Sequence, residues 1–498
     1  MWPSRVHHKQ PSAHKPRPSA PLPNHRDNSR WYALGGILVP LIGLTIKLQF
    51  FPEDGAGSAP PQRTFPPRGP FEAQVPAGIG GAGGGGAGGG GGGASGGAGG
   101  GGTGIGAGGT PPGGAPPGGA GVAPLRSGFN LPPPGETRFV DNHVVLDIPT
   151  RSEPELDAIA ARHNMTRLAT STIGLTGRTL HVWRIDNGVS VASMIRDIAA
   201  ESQVAGAQPD YLYRLAQAEQ VPVNADQYAP QKLSLPEAHR LARGNRILIA
   251  VIDSAVDGSH PDLTGAIAAN FDPAAAPERP HPHGTGMAGA IAARRNMLGI
   301  APGVGLLTVH AFSAQGGTPE GTTFNIIRGL DWAAAQGARV VNMSFAGPSD
   351  PRLRDALAKA NARKIVLIAA AGNAGPNSPP LFPAADPSVI AVTATNSEDG
   401  LFAGANRGNY IAVAAPGVDI FAPAPEGSYQ FTTGTSVAAA EVSGVAALLI
   451  ERNPALTPAE IRKILMDTAK DLGPRGRDRD FGAGLVNALK ALTAARPR

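Results

Sequence analysis

The sequence predicts an α/β protein, a mainly parallel sheet with helices on both faces, preceded by a small α+β domain. Three observations predict it. Beyond residue 232, short unbroken apolar runs such as ILIAVI at 247–252 alternate with helical patterns, as strands buried on both faces do. Between 137 and 216 the patterns follow the order β-α-β-β-α-β of a ferredoxin-like unit. Before residue 137 proline and glycine are too dense for a core, so the folded part is confined to residues from 137 onward.

Taken in order, residues 1–30 carry six lysines and arginines, one aspartate and many prolines, a disordered basic tail. Residues 31–51, WYALGGILVPLIGLTIKLQFF, form the one membrane candidate. Their uncharged core at 33–46 is shorter than a full span, but Trp31, Tyr32, Lys47, Phe50 and Phe51 extend it by interfacial anchoring. The basic tail holds the N-terminus in the cytoplasm, so this is a transmembrane signal anchor or a signal peptide, and everything after it is exported. The catalytic part is then periplasmic or at the cell surface, or secreted if the segment is cleaved. Residues 52–136, with a near-pure glycine tract at 78–109, read as a flexible tether; no strand precedes the tract and no GK[ST] follows it, which excludes a phosphate loop. Without the tail the charge is balanced, which argues against a nucleic-acid partner. With no cysteine, disulfides, zinc–thiolate sites and a thiol nucleophile are excluded.

In the 137–216 domain, strands are expected at 138–148, 166–174, 179–185 and within 204–216. The helices are at 152–163, opened by a Ser152–Glu155 capping box, and at 192–200. Residues 217–231 are polar and irregular, a linker suited to self-cleavage. In the final domain, 232–498, strands are expected at 247–252, 306–311, 338–344, 365–371, 389–393 and 411–414. Helices are expected at 322–336, 351–361, through the segment after Ser436, and at 458–468.

Three local patterns carry chemistry. Asp253 ends the 247–252 strand, at the sheet edge where ligands gather. His283 opens a small-residue helix in HPHGTGMAGAIAA. Ser436, in FTTGTSVAAAEVSGVAALL, follows the turn Gly434-Thr435 and opens another, where unpaired N–H groups and the helix dipole favour negative charge. Alone, each has a plainer reading: a turn aspartate, a polar residue at a helix start, a serine N-cap. Together they are the parts of a triad in which serine attacks, histidine takes its proton, and a carboxylate orients the histidine.

The order Asp, His, Ser and the words VIDSAVDGSHPDL, HGTGMAG and GTSVAAAEVSG resemble the subtilisin-like serine proteases, the subtilases. The resemblance runs from about Asp226 to the C-terminus and implies the subtilisin-like fold. It implies Asp253, His283 and Ser436 as catalytic residues and Asn373, in IVLIAAAGNAG, as oxyanion-hole donor. It also implies a peptide-binding edge strand at Ser344, Phe345 and Ala346 in VVNMSFAG, with Ala370, Ala371 and Gly372 as further substrate-binding residues. The partners implied are a protein or peptide substrate and the chain's own N-terminal domain as an inhibitory propeptide. No cofactor is required; structural calcium occurs in the family, but no motif assigns ligands, and Asp262, Asp272 and Asp386 read as turn residues. Several positions depart from the family pattern: after the serine the family usually carries Met-Ala-Ala-Pro-His, where this chain has Val437, Ala438, Ala439, Ala440 and Glu441. Glu441 follows the nucleophile by little more than a helical turn, Gly286 stands where a second histidine is common, and Ala346 where glycine is usual. Glu441 motivates the rival expectation of a catalytically silent, membrane-tethered binding module; a glutamate-based serine-carboxyl peptidase is opposed by His283.

Overall fold

A computed structural model describes residues 125–149, 151–215, 227–273, 279–313 and 318–496. The basic tail, the 31–51 segment, the glycine tract and residues 216–226 lie outside these. Among the described residues no helix is long and apolar enough to cross a membrane.

The first domain comprises β1 (Phe139–Asp147), α1 (Glu153–Arg162), β2 (Met165–Ile173), β3 (Arg178–Ile185), α2 (Val191–Ile198) and β4 (Gly206–Leu215). Its strands pair antiparallel in the order β4-β1-β3-β2, the arrangement the pattern predicts. The capping box is present: the Ser152 N–H donates to the Glu155 carboxylate at 2.9 Å. Val144, Leu146, Ile159, Trp183, Ile195 and Ile198 form the core between sheet and helices. Packing begins ahead of Thr137. Phe129 is buried in that core, and the Asn130 N–H donates to the Ala207 carbonyl at 2.8 Å. Proline and glycine content hid this, because one aromatic residue does not alter a composition.

The second domain opens with two short helices, α3 (Ala229–Lys232) and α4 (Leu235–Ala238). Next come β5 (Leu248–Asp253), β6 (Ile267–Phe271), α5 (Pro282–Ala292), β7 (Gly305–His310), β8 (Glu320–Thr322) and α6 (Thr323–Ala335). The middle of the domain is β9 (Val340–Met343), β10 (Phe345–Ala346), α7 (Pro351–Ala362), β11 (Val366–Ala370), β12 (Val389–Thr395) and β13 (Ile411–Pro416). It ends with the hairpin β14 (Ile420–Ala424) and β15 (Ser428–Thr432), then α8 (Thr435–Arg452), α9 (Pro458–Asp467) and α10 (Ala488–Ala494). Seven strands form a parallel sheet in the order β13-β12-β11-β9-β5-β7-β6. Successive residues of β5 face opposite cores: Ile249 and Val251 meet α5 and α8, while Ala250 and Ile252 meet α6 and α7. This two-sided burial is why the strands read as continuous apolar runs. From β5 the chain first builds β6 and β7 on one side, then β9 to β13 on the other. The carboxyl ends of β5 and β9 therefore flank the switch point, where open α/β sheets bind ligands.

The expected strand at 338–344 is two. β9 stops at Met343, and β10 leaves the parallel sheet to pair with β4 of the first domain, Phe345 opposite Leu215 and Ala346 opposite Arg214. β4 also pairs along its other edge with β8, Tyr213 opposite Gly321. The half-exposed β6, the apolar-poor β8 and the Pro423-containing hairpin carry too little pattern to be foreseen. Tyr213 is fully buried in this seam, edge-on to Phe345 with ring centroids 5.8 Å apart. A Cβ on Gly347 would lie 2.3 Å from its ring, so the close approach requires glycine there.

Candidate active site

Asp253 is the last residue of β5 and is wholly buried. Its Oδ1 accepts from the Ser254 N–H at 2.7 Å, the Ser254 hydroxyl at 3.1 Å and Nδ1 of His283 at 2.8 Å. His283 lies in the first turn of α5, which approaches the end of β5 so closely that a Cβ on Gly284 would stand 2.3 Å from the Ser254 carbonyl. With Nδ1 donating to the carboxylate, Nε2 is left as the ring's acceptor. That atom is buried and without a partner among the described residues.

Ser436 occupies the first turn of α8, on the same sheet face as α5, and is buried. Its hydroxyl donates to the Ser344 carbonyl at 3.2 Å, and the Ser344 hydroxyl donates to the Ser436 carbonyl at 2.9 Å. The Asn342 amide donates to that Ser344 hydroxyl at 2.9 Å, and Ser443, two turns further along α8, donates to Asn342 at 3.1 Å. This network locks the start of α8 against the carboxyl end of β9.

Asn373 follows Gly372, whose φ of +111° favours glycine and where a Cβ would lie 2.8 Å from the Asn406 amide. The Asn373 Oδ1 accepts from Thr435, from its N–H at 3.0 Å and its hydroxyl at 2.7 Å. Its Nδ2 is left buried with no partner among the described residues. The amide oxygen is thus clamped while its N–H side is unpaired among the described residues, an arrangement able to donate to an anion. Thr435, which the sequence placed only in the turn before Ser436, holds this amide in position. Its hydroxyl also accepts from the Gly372 N–H at 3.1 Å, fixing both the turn and the amide. The only signal was a threonine directly before the serine. Thr435→Val is expected to lower kcat about tenfold with KM little changed, because the donor loses its positioning rather than its presence; steady-state kinetics on a peptide substrate checks the split.

Of the expected substrate-binding residues, Ser344, Phe345 and Ala346 lie together between the start of α8 and β4. Ala370 and Ala371 are wholly buried. The Ala371 N–H donates to the Val392 carbonyl at 2.9 Å, its carbonyl accepts from Tyr410 at 3.1 Å, and the Gly372 N–H is held by Thr435, so these polar groups are already engaged. At Gly286 the space is bounded by Gln430, whose side chain donates to the Pro282 carbonyl at 2.8 Å. Glu441 does not face solvent, and among the described residues no arginine pairs with it. It is 2 % exposed, its Oε2 has no partner among the described residues, and burial pushes its carboxyl well above the ordinary value of 4.5. It lines a small cavity with Gln227, Tyr228, Leu298 and Phe421, which none of Asp253, His283 or Ser436 lines.

The Asp262 Oδ1 accepts N–H groups of Arg295, Asn296 and Met297 at 2.9, 2.7 and 3.2 Å, and its Oδ2 accepts the Tyr429 hydroxyl at 2.7 Å. Asp386 accepts the Ser388 N–H at 2.8 Å, and Asp272 lies 3.5 Å from His310. Among the described residues no group of three acidic or histidine side chains is placed to hold a metal ion.

The sequence pattern described as the subtilase family matches residues 244–484. Subtilisin E of Bacillus subtilis is 35% identical over 309 residues, which cover 60% of this chain and 77% of the relative. Thermitase of Thermoactinomyces vulgaris is 35% identical over 53% of this chain and 95% of its own length. Among solved structures, that of fervidolysin from Fervidobacterium pennivorans, described as a keratinolytic enzyme related to subtilisin, superposes with a TM-score of 0.64 at 26% identity. The match covers 73% of this chain and 63% of that one.

Proposed function

Since the chain belongs to the subtilase family and is a serine-type endopeptidase, we propose that it hydrolyses peptide bonds of extracytoplasmic proteins through Asp253, His283 and Ser436. The Ser436 hydroxyl attacks the scissile carbonyl carbon while His283 Nε2 takes its proton. The tetrahedral oxyanion is held by Asn373 Nδ2 and the Ser436 N–H. Collapse expels the amine, which receives the proton from His283, and leaves an acyl group on Ser436 that water releases by the same route. The observation that carries this reading is the pair of orphaned nitrogens: His283 Nε2 and Asn373 Nδ2 are buried polar atoms without partners among the described residues, and a reacting serine and carbonyl would satisfy both.

The first domain, on this proposal, is an inhibitory propeptide. β4 lies between β8 and β10 as a peptide substrate would, main chain to main chain, and its last described residue, Leu215, pairs beside Ser344. Export by the segment at 31–51 belongs to the same proposal and rests on its apolar core behind a basic tail. No specific observation favours the silent module, since among the substitutions that motivated it the carboxylate, Glu441, lines a different cavity.

Purified wild-type chain is expected to split between Leu215 and Gln231, and a fluorophosphonate is expected to add once, at Ser436. Intact-mass and peptide-mapping mass spectrometry read both. A folded chain that stays whole and unlabelled would overturn the protease reading.

A further inference from the structure

Tyr213 of β4 is buried in a seat made by the second domain. Its ring lies edge-on to Phe345, which itself packs on Phe312 with centroids 4.9 Å apart, and against Gly347. Its hydroxyl lies 3.4 Å from the Pro348 carbonyl and 3.4 Å from Oδ2 of Asp350, and can donate to either. The aromatic walls would take phenylalanine as readily as tyrosine. The Asp350 carboxylate is the group that tells them apart.

Asp350 is 1% exposed and caps α7: its Oδ1 accepts the Arg352 and Leu353 N–H groups at 2.8 and 3.0 Å and the Gln208 amide at 2.9 Å. Its Oδ2 accepts the Thr323 hydroxyl and faces the phenol. The cap fixes one oxygen, so the fold of the second domain, rather than the phenol, aims the other. Burial first, and Asp350 second, push the Tyr213 pKa well above its ordinary value of 10.0, so the phenol stays a donor. Of the groups around Asp350 and the ring, only Gln208 belongs to the first domain; Thr323, Phe345, Gly347 and Pro348 belong to the second. We propose that Asp350 is a specificity-determining residue, selecting substrates with tyrosine in the register of Tyr213 and preferring it there to phenylalanine by accepting its hydroxyl. The assignment rests on the proposed protease activity, with β4 lying as a substrate lies. Phe345 faces Leu215, so the next substrate residue faces Ser344, whose carbonyl accepts the Ser436 hydroxyl. Tyrosine is then read at the third place before the residue whose carbonyl is attacked.

The test gives the wild-type chain, after it has cut itself, three peptides alike except for tyrosine, phenylalanine or lysine at that third place. Mass spectrometry locates each cut, and the Ser436→Ala chain serves as the blank. The kcat/KM is expected to be about fivefold higher for tyrosine than for either of the others. Asp350→Ser keeps a capping oxygen for α7 but removes Oδ2, and is expected to cut the tyrosine and phenylalanine peptides within about twofold of each other. Should that variant not fold, the wild-type ratio decides alone. Equal wild-type rates for tyrosine and phenylalanine, a ratio unchanged by Asp350→Ser, or lysine cut as fast as tyrosine overturns the assignment and leaves the protease reading standing. If none of the three is cut the assignment fails, and fluorophosphonate labelling of Ser436 tells whether the protease reading fails with it.

Discussion

Ser436→Ala is expected to lower kcat for peptide hydrolysis by about 10⁶-fold, the size of loss known for the nucleophile of a subtilisin and carried here by family membership. The variant keeps Asn373 and the Asp253–His283 pair, so whatever rate survives measures orientation and oxyanion stabilisation without an acyl-enzyme. Because the uncut variant keeps β4 paired with β10, both proteins are to be compared after the first domain has been removed by an added protease. Folding should survive. The substitution removes a hydroxyl that donates to the Ser344 carbonyl, a contact of about 1 kcal/mol, and places the best helix former in the first turn of α8. The Ser344 hydroxyl still reaches the main-chain carbonyl of residue 436, so α8 remains tied to β9. An uncut chain as purified, and no burst of acyl-enzyme once the first domain is removed, are the expected signature. Retention of more than about a hundredth of the wild-type kcat would remove Ser436 from the nucleophile's role.

The residues of the candidate site were legible because each sits inside a local pattern. Asp253 ends an apolar run, and His283 and Ser436 open helices of small residues that must pack tightly against the sheet. That β5, α5 and α8 pack against one another is a property of parallel topology, which brings the carboxyl ends of strands and the starts of the following helices to one edge. What holds them was not legible. Thr435 clamps Asn373 across 62 residues of sequence, and no period or spacing relates the two. The same is true of the seam. β4 was readable as a strand, but its insertion between β8 and β10 depends on two- and three-residue strands with no pattern of their own. Glu441 shows the limit most sharply, since sequence offered a carboxylate near the nucleophile without saying which way it pointed.

Glu441→Gln is expected to raise the thermal stability of the folded chain, and to raise it more as the pH increases. The carboxyl is enclosed by the stretch Gln227 to Pro230, by Ala290 of α5, by Met297, Leu298 and Ile300, and by Ile420 and Phe421 of β14. Among the described residues no lysine, arginine or histidine lines this cavity. The ionisable neighbour is Tyr228, whose hydroxyl donates to the Val418 carbonyl at 2.6 Å and whose pKa is itself raised, first by burial and then by Glu441. Burial therefore holds Glu441 protonated in the folded state to a pH above its unfolded value near 4.5. Between those two values the folded chain binds a proton that the unfolded chain has released, so stability is greatest below the unfolded value and declines as pH rises through the window. Glutamine keeps the shape and polarity of the neutral acid and does not titrate. At about pH 5 the two proteins should unfold at nearly the same temperature. By about pH 8 the wild type bears either a protonation cost or an unpaired buried charge, for which about 3 kcal/mol is a reasonable scale, equivalent to roughly 6–12 °C in a domain of this size. Thermal unfolding in a Ser436→Ala background, where self-cleavage cannot interfere, reads the difference at each pH. A gap between the two proteins that stays constant across that pH range would show that Glu441 ionises freely in the folded chain. The carboxyl would then have to reach solvent or a cation through an opening of the segment that begins at Gln227, and its place in α8 would be explained by that opening rather than by a neutral buried acid.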